Sequence, residues 1–170
     1  FLYGGGADHG YRLKVHAGPH IDFVLPPAGV PGSKSRYTIV GRNLPGGQPA
    51  GTSSDGRELQ KLSVEITLPN TPDSLDVATT RFDREAGVDG ATYVFNGANG
   101  SSNAVTIGYA PTVPTAEVEP NDEGQKSQKI TAPGEVAGIF SKRSDLDHFE
   151  FEAKAGQVFW VDVLAQQLGS

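Results

Sequence analysis

The stretch Leu62-Ser63-Val64-Glu65-Ile66-Thr67-Leu68 decides the fold class of this 170-residue chain. Its apolar side chains alternate strictly with polar ones, which is the pattern of a strand with one buried face. Shorter alternating runs, separated by turns rich in glycine, proline and asparagine, flank it at residues 21–25, 37–41, 91–95 and 104–109. Regular short strands and turns of this kind predict an antiparallel β-sandwich.

The composition supports a β-rich chain and narrows the classes of partner. The 22 glycines and 12 prolines favour turns over long helices. A formal net charge of −6 argues against a nucleic-acid surface, which needs a basic stripe. No apolar run is long enough to cross a bilayer, so membrane insertion is not expected. A divalent cation or a neutral ligand is the partner that this composition favours.

The chain contains neither cysteine nor methionine. Without cysteine there is no disulfide framework and no thiolate metal site. The lack of an initiator methionine, together with a start at Phe1 within an apparent strand, predicts a fragment or a processed product. Tyr11, Leu13 and Val15 alternate with polar and basic residues, which predicts a half-buried strand that closes a preceding domain.

Other local patterns give predictions that a structure can test. Residues 48–58 are predicted to be a polar loop, and residues 83–86 the only short helix. Residues 136–140 are predicted to form a strand. Residues 158–164 carry apolar side chains on both faces and are predicted to form a central strand. Trp160, the only tryptophan, is expected to pack in the sheet and not to form a sugar-binding platform.

The stretch Glu117-Val118-Glu119-Pro120-Asn121-Asp122 follows a stiff proline-rich linker at residues 111–115. It places three carboxylates and an amide oxygen within six residues. Carboxylates about 4 Å apart repel each other by roughly 1–4 kcal/mol, depending on the local dielectric. Such a cluster is tolerated in water or around a cation, and acidic linkers are usually solvated. The residues alone are compatible with both interpretations, a solvated acidic linker and a cation site.

Two parts of the chain resemble known families. Residues 19–45 resemble the opening of an immunoglobulin-like IPT/TIG domain. The resemblance is carried by a proline-started strand, a Pro/Gly turn, a second strand and the signature Gly41-Arg42-Asn43-Leu44. It implies an IPT/TIG-like immunoglobulin-fold domain over residues 18–112.

The second resemblance covers the C-terminal third of the chain. It is similar to the first half of the bacterial pre-peptidase C-terminal domain, a jelly-roll-like β-sandwich that is also the fold of clostridial collagenase collagen-binding domains. The matching segments are Glu119-Pro120-Asn121-Asp122, Val136-Ala137-Gly138, Asp145-Leu146-Asp147-His148-Phe149 and Ala155-Gly156-Gln157.

Together the resemblances imply an all-β chain of tandem β-sandwiches. Residues 4–17 resemble the last hairpin of the pre-peptidase type, so residues 1–17 are expected to be the closing strands of a preceding sandwich. Residues 18–112 are expected to form the IPT/TIG-like domain, and residues 113–170 the N-terminal part of a second, pre-peptidase-like sandwich. Large surface proteins of planctomycete-like bacteria are built in this modular way.

The pre-peptidase resemblance implies a calcium site. Ca²⁺ takes 6–8 oxygen ligands from carboxylates, amides and backbone carbonyls. In collagen-binding relatives, the acidic segment before the sandwich and the aspartates of a D-x-D loop ligate calcium. A backbone carbonyl near Phe140 could join them, and Asp145 has the alternative role of capping a turn. The matching side chains in this sequence are Glu117, Glu119, Asn121, Asp122, Asp145 and Asp147.

The resulting functional prediction is a non-catalytic, modular β-sandwich segment of a secreted or cell-surface bacterial protein. The expected location is extracellular or, alternatively, periplasmic. The segment would act in spacing, adhesion or substrate targeting, and Ca²⁺ would stabilise the joint between modules. The expected partners are other modules of the same polypeptide and a polysaccharide or an extracellular protein. Two alternatives stay open: an accessory module of a secreted protease or esterase whose catalytic domain lies outside this chain, and a carbohydrate- or collagen-binding module.

Overall fold

A computed structural model describes residue 6, residues 9–11, residue 13, residues 15–70 and residues 89–165. Within these residues the regular elements are β-strands and one short 3-10 helix, so the predicted all-β, sandwich-like fold class is confirmed. No helix in this part of the chain has the length and apolarity needed to span a membrane. The helix predicted at residues 83–86 lies outside the described residues.

The larger sheet contains four antiparallel strands. They are β1 (His20–Leu25), β3 (Lys34–Arg42), β4 (Gln48–Thr52) and β5 (Glu58–Thr67). In space they follow the order β1-β3-β5-β4. Strand β3 pairs with β5 over eight residues in regular register, from Lys34 opposite Thr67 to Gly41 opposite Gln60. The stretch that predicted the fold class is therefore central in the sheet.

The smaller sheet has the order β2-β7-β6. It consists of β2 (Ala28–Gly29), β6 (Gly90–Gly97) and β7 (Gly100–Tyr109). Strands β6 and β7 form an antiparallel hairpin whose last pair is Gly97 and Gly100, and β2 runs parallel to β7. Gly100 has φ +107°, a backbone conformation that glycine adopts without steric cost. The dipeptides Asn96-Gly97 and Asn99-Gly100 turn the chain here.

Apolar side chains from both sheets share one core. Tyr37 and Ile39 of β3 and Ile107 of β7 are almost completely buried. Because successive side chains of a strand point to opposite faces, the alternating patterns place one set of apolar residues inward. Full burial of a side chain of this size contributes about 1.5–3 kcal/mol. The core residues are Ile21, Val24, Tyr37, Ile39, Leu44, Ile66, Leu68, Ala91 and Ile107.

Asn103 of β7 connects the two sheets through its side-chain amide. Its Oδ1 accepts a hydrogen bond from the backbone N–H of Ile21 at 2.7 Å. Its Nδ2 donates to the backbone carbonyl of Ile21 at 2.9 Å. The pairing of β1 with β3 is irregular between Ile21 and Phe23. The asparagine thus supplies, beside this bulge, the two hydrogen bonds that a neighbouring strand would otherwise make.

We expect Asn103→Ala to lower the free energy of unfolding by about 2 kcal/mol, because it leaves both backbone groups of Ile21 without these partners. Urea unfolding followed by circular dichroism measures the change. Asn96→Ala is the matched control, since the exposed Asn96 side chain accepts a hydrogen bond from the exposed Ser101 hydroxyl at 2.7 Å, and a loss of about 0.5 kcal/mol or less is expected. Equal losses in the two variants would show that Asn103 has no special linking role.

The end of β3 shows why a glycine and an asparagine occur there. A Cβ atom on Gly41 would lie 2.0 Å from the backbone oxygen of His20, so no larger residue fits. Asn43 has φ +54°, in the left-handed region that asparagine tolerates better than most residues. Leu44 then enters the core. Local geometry therefore accounts for this part of the signature Gly41-Arg42-Asn43-Leu44.

The loop predicted at residues 48–58 is wrong in part, because residues 48–52 form strand β4. This strand pairs with β5 at the edge of the larger sheet. Pro49 fits such an edge, where a missing backbone N–H costs little. The segment lacks alternating apolar residues, so nothing in its composition predicted the pairing.

Beyond residue 112 the strands are very short. Strand β8 (Thr115–Ala116) pairs in parallel with β10 (Val136–Ala137), and β9 (Gln128–Lys129) pairs in parallel with β11 (Phe149–Glu150). The 3-10 helix spans Gly124–Lys126. Residues 136–140 therefore form a strand only over the first two positions.

Two further strand predictions are wrong. Residues 158–164 are in no strand, and Trp160 is 91% exposed instead of packing in a sheet. Tyr11 and Leu13 also lie outside strands and are exposed, at 92% and 78%. The alternation in both segments fits a strand, but a strand needs a neighbour to complete its hydrogen bonds. Among the described residues neither segment has one.

Candidate metal centre

The two parallel strand pairs bring the acidic segment at residues 117–122 against the loop at residues 141–148. The backbone N–H of Glu117, directly after β8, donates to the carbonyl of Ala137 on β10 at 2.9 Å. The carbonyl of Asn121 accepts the backbone N–H of His148 at 3.1 Å, and His148 Nδ1 lies 3.2 Å from the same oxygen. Residues far apart in sequence thus meet at one place.

The carboxylate of Glu117 is held on both oxygens. Its Oε2 accepts the backbone N–H of Ile139 at 2.9 Å, and its Oε1 accepts Nδ2 of Asn121 at 3.2 Å. The side chain also packs against Gly138, where an added Cβ would lie 2.3 Å from Oε2. Only glycine leaves room for the carboxylate in this position.

Three more carboxylates meet beside it. Glu119, Asp145 and Asp147 each place one oxygen so that the three atoms lie within 4.8 Å of one another. The pKa of Asp147 is raised from 3.8 to about 6, mainly by burial and then by the negative charges of Glu117, Asp145 and Glu119. Four negative groups therefore act on one another at this point.

Several oxygens of the cluster are buried without a hydrogen-bond donor. Asn121 has 0% of its surface exposed, and the side chain of Asp145 is equally inaccessible. The Oδ1 atoms of Asn121, Asp145 and Asp147 are buried and have no hydrogen-bond partner, although that of Asp145 lies 3.5 Å from the ammonium of Lys142. Since an unpartnered buried polar atom costs about 1–3 kcal/mol, the oxygens of Asn121 and Asp147 call for an explanation.

Lys142 provides the positive charge at the rim of the cluster. Its Nζ lies 2.7 Å from Oδ1 of Asp122 and 3.5 Å from Oδ1 of Asp145. The hydrogen bond with Asp122 is the largest reason why the pKa of Lys142 is raised above its ordinary value. Asp122 is therefore engaged with Lys142, and one lysine shared by two aspartates does not neutralise the cluster.

Asp145 has a structural role as well. Its Oδ2 accepts the backbone N–H of Ser141. Burial alone would raise the pKa of Asp145, but the hydrogen bonding with Ser141 and the charge of Lys142 outweigh it and lower the pKa below its ordinary value. Asp145 therefore stays ionised and caps the loop that precedes it.

The donor set fits a hard cation. It consists of carboxylate oxygens and an amide oxygen, which are the ligands that Ca²⁺ takes in proteins. Glu119, Asp145 and Asp147 would hold the ion, with Glu117 beside Asp147 and the free Oδ1 of Asn121 in reach of the same network. A bound divalent cation would neutralise the repelling carboxylates and supply the buried oxygens with a partner.

The structure places the six predicted residues in different roles. Glu119, Asp145 and Asp147 share one point, Glu117 and Asn121 support it through hydrogen bonds, and Asp122 is paired with Lys142. The sequence did not predict the part that Gly138 and Lys142 play. Their positions depend on the β8–β10 pairing and on the course of a loop, which no local pattern shows.

Comparison of the chain with protein families, with curated proteins and with solved structures finds no match.

Proposed function

We propose that residues 113–165 bind a calcium ion through Glu119, Asp145 and Asp147, and that the ion fixes the start of this part of the chain. The proposal rests on one observation: carboxylate oxygens converge where the Oδ1 atoms of Asn121 and Asp147 are buried without a donor. A cation removes both costs at once, the repulsion between like charges and the missing hydrogen bonds.

At the level of the whole chain, we propose a non-catalytic modular segment of a secreted or cell-surface bacterial protein. The IPT/TIG-like unit at residues 18–112 and the pre-peptidase-like unit at 113–170 belong to this proposal. Their work would be spacing, adhesion or substrate targeting beside other modules of the same polypeptide. Extracellular calcium modules bind with dissociation constants of about 0.1–1 mM, so a site of this kind fills where calcium is abundant.

Isothermal titration calorimetry of the full chain with CaCl₂ tests the site. We expect binding in the range given above, and Glu119→Gln should weaken it at least about tenfold, or about 1.4 kcal/mol. Glu123→Gln is the matched control, because Glu123 directly follows the acidic segment but pairs with Lys126 on the surface, at 3.1 Å. Absence of binding, or equal weakening by both variants, would refute the proposal.

A further inference from the structure

Lys142 places a positive charge directly against the proposed calcium site. Its Nζ lies 2.7 Å from Oδ1 of Asp122 and 3.5 Å from Oδ1 of Asp145. The Asp122 side chain is 33% exposed, whereas that of Asp145 is inaccessible. The ammonium group of a lysine ends a flexible four-carbon stem, and the Lys142 side chain is 56% exposed. The lysine therefore has room to leave Asp145 while it keeps its contact with Asp122.

The oxygen of Asp145 that lies nearest to Lys142 is also the one left for an ion. Its other oxygen, Oδ2, accepts the backbone N–H of Ser141, whereas Oδ1 has no hydrogen-bond partner. Because calcium binds its oxygens at about 2.3–2.6 Å, an ion on Oδ1 would lie no more than about 6 Å from the ammonium nitrogen. Two positive charges at this separation repel each other, since the Debye length at physiological salt is about 8 Å. The lysine and the ion therefore compete for one oxygen.

Asp122 is placed to decide where the ammonium group of Lys142 goes. It makes the shorter of the two contacts, a hydrogen bond of 2.7 Å. It is not one of the three carboxylates whose oxygens converge. A lysine that follows Asp122 leaves Oδ1 of Asp145 to the ion, whereas a lysine without Asp122 would turn to Asp145.

We propose that Lys142 is an internal competitor of the calcium ion and that Asp122 holds it away from Asp145. This inference rests on the calcium site proposed above. It makes Asp122, which the family resemblance implied as a ligand, a positioning residue that acts on the ion through Lys142. The competition lowers the affinity of the site, so that it fills only where calcium is abundant.

Isothermal titration calorimetry with CaCl₂ measures the competition. Lys142→Gln should bind calcium about tenfold more tightly than the parent, which corresponds to about 1.4 kcal/mol. Arg143→Gln is the matched control, because it removes the same charge from an exposed neighbour that forms no ion pair among the described residues. It should change the affinity about twofold or less. Equal tightening by the two variants, or none in Lys142→Gln, overturns the inference.

The conservative variant Lys142→Arg shows whether charge or side-chain shape is responsible. It keeps the positive charge and should return the affinity most of the way to that of the parent. If Lys142→Arg binds calcium as tightly as Lys142→Gln, the charge of the side chain does not compete with the ion and the inference is wrong.

Asp122→Asn distinguishes a positioning residue from a ligand. In the parent it should weaken calcium binding at least about fivefold, because the lysine turns to Asp145. In the Lys142→Gln background it should weaken binding by no more than about twofold, since no ammonium group remains to be positioned. Similar weakening in both backgrounds would mean that Asp122 ligates the ion directly, which contradicts the role proposed for it.

Sodium chloride gives a readout that a merely structural role would not change. Because more than half of the Lys142 side chain is exposed, salt screens its charge. The difference in affinity between the parent and Lys142→Gln should therefore narrow as NaCl rises from about 0.05 M to about 0.5 M. A difference that is independent of salt speaks against competition between charges.

The titrations separate this inference from the calcium site itself. If the parent binds calcium and Lys142→Gln binds it no more tightly, only the competition is wrong. If neither binds, both proposals fail. Binding by Lys142→Gln alone would support the competition and refute calcium binding by the parent. Differential scanning calorimetry in EDTA gives the temperature below which each variant is folded, and the affinities are compared there.

Discussion

Calcium should raise the thermal unfolding midpoint of this chain by roughly 5–10 °C when its concentration is about 100 times the dissociation constant. Such an excess stabilises a folded state by about 2.7 kcal/mol if the unfolded chain does not bind. For a chain of this size, about 1 kcal/mol corresponds to a shift of roughly 2–4 °C. The size of the effect follows from the cluster, because the metal-free chain must fold with like charges and unpartnered oxygens together.

Differential scanning calorimetry in CaCl₂ and in EDTA, at matched ionic strength, measures this shift. Sodium chloride serves as the salt control, since screening alone also weakens the repulsion between carboxylates. Magnesium should have a smaller effect, because it demands near-ideal octahedral geometry and dehydrates reluctantly. An unchanged midpoint in millimolar calcium would remove the main support for the metal centre.

Asp147 should change the stability of the metal-free chain with pH in the direction opposite to that of an ordinary salt-bridged aspartate. Its pKa is raised from 3.8 to about 6 by burial and by the neighbouring carboxylates. Between these values the folded chain binds more protons than the unfolded chain, so the free energy of unfolding falls as pH rises. The fall should begin near pH 4, end a little above pH 6, and amount to about 1–3 kcal/mol.

Asp147→Asn should change the free energy of unfolding in opposite directions without and with calcium, which separates the cost of the buried charge from its contribution to metal binding. In EDTA at pH 7.5 the variant should be more stable than the parent, because the buried charge is gone, and the fall between pH 4 and 6 should be absent. In calcium it should be less stable than the parent. Asp122→Asn is the control, since it breaks the contact with Lys142 and should bring no gain in EDTA. A loss of stability for Asp147→Asn in EDTA would mean that the charged carboxylate of Asp147 does not destabilise the metal-free fold.

The sequence predicted best those features that depend on local alternation. Strands β3, β5, β6 and β7 lie where apolar residues alternate, and Ile66 and Leu68 are buried as the period of two requires. Strand β4 was missed because a polar edge strand depends on its partner and not on its own composition. In β1 the irregularity after Ile21 moves the buried face to Val24, which no alternating pattern could show.

The candidate site could be predicted only in part, because it too depends on contacts between residues that are distant in the sequence. Charge density alone drew attention to residues 117–122, and the resemblance to a calcium-binding family added Asp145 and Asp147. Asp147 is repelled by neighbouring carboxylates, whereas Asp122 is paired with the positive charge of Lys142. This difference depends on distances across the loop. The need for glycine at position 138 likewise appears only when Glu117 is seen lying against it.

The meeting of Glu119 with Asp147 has a mechanical consequence for a polypeptide that contains no cysteine. An ion held by both would close the intervening stretch into a ring, much as a covalent cross-link does, and rings of this size restrict the unfolded chain by about 3 kcal/mol in the entropic account of disulfides. Unlike a disulfide, this fastening needs no oxidant and opens whenever a chelator removes the ion. The rigidity of the C-terminal third would then follow the composition of the surrounding medium.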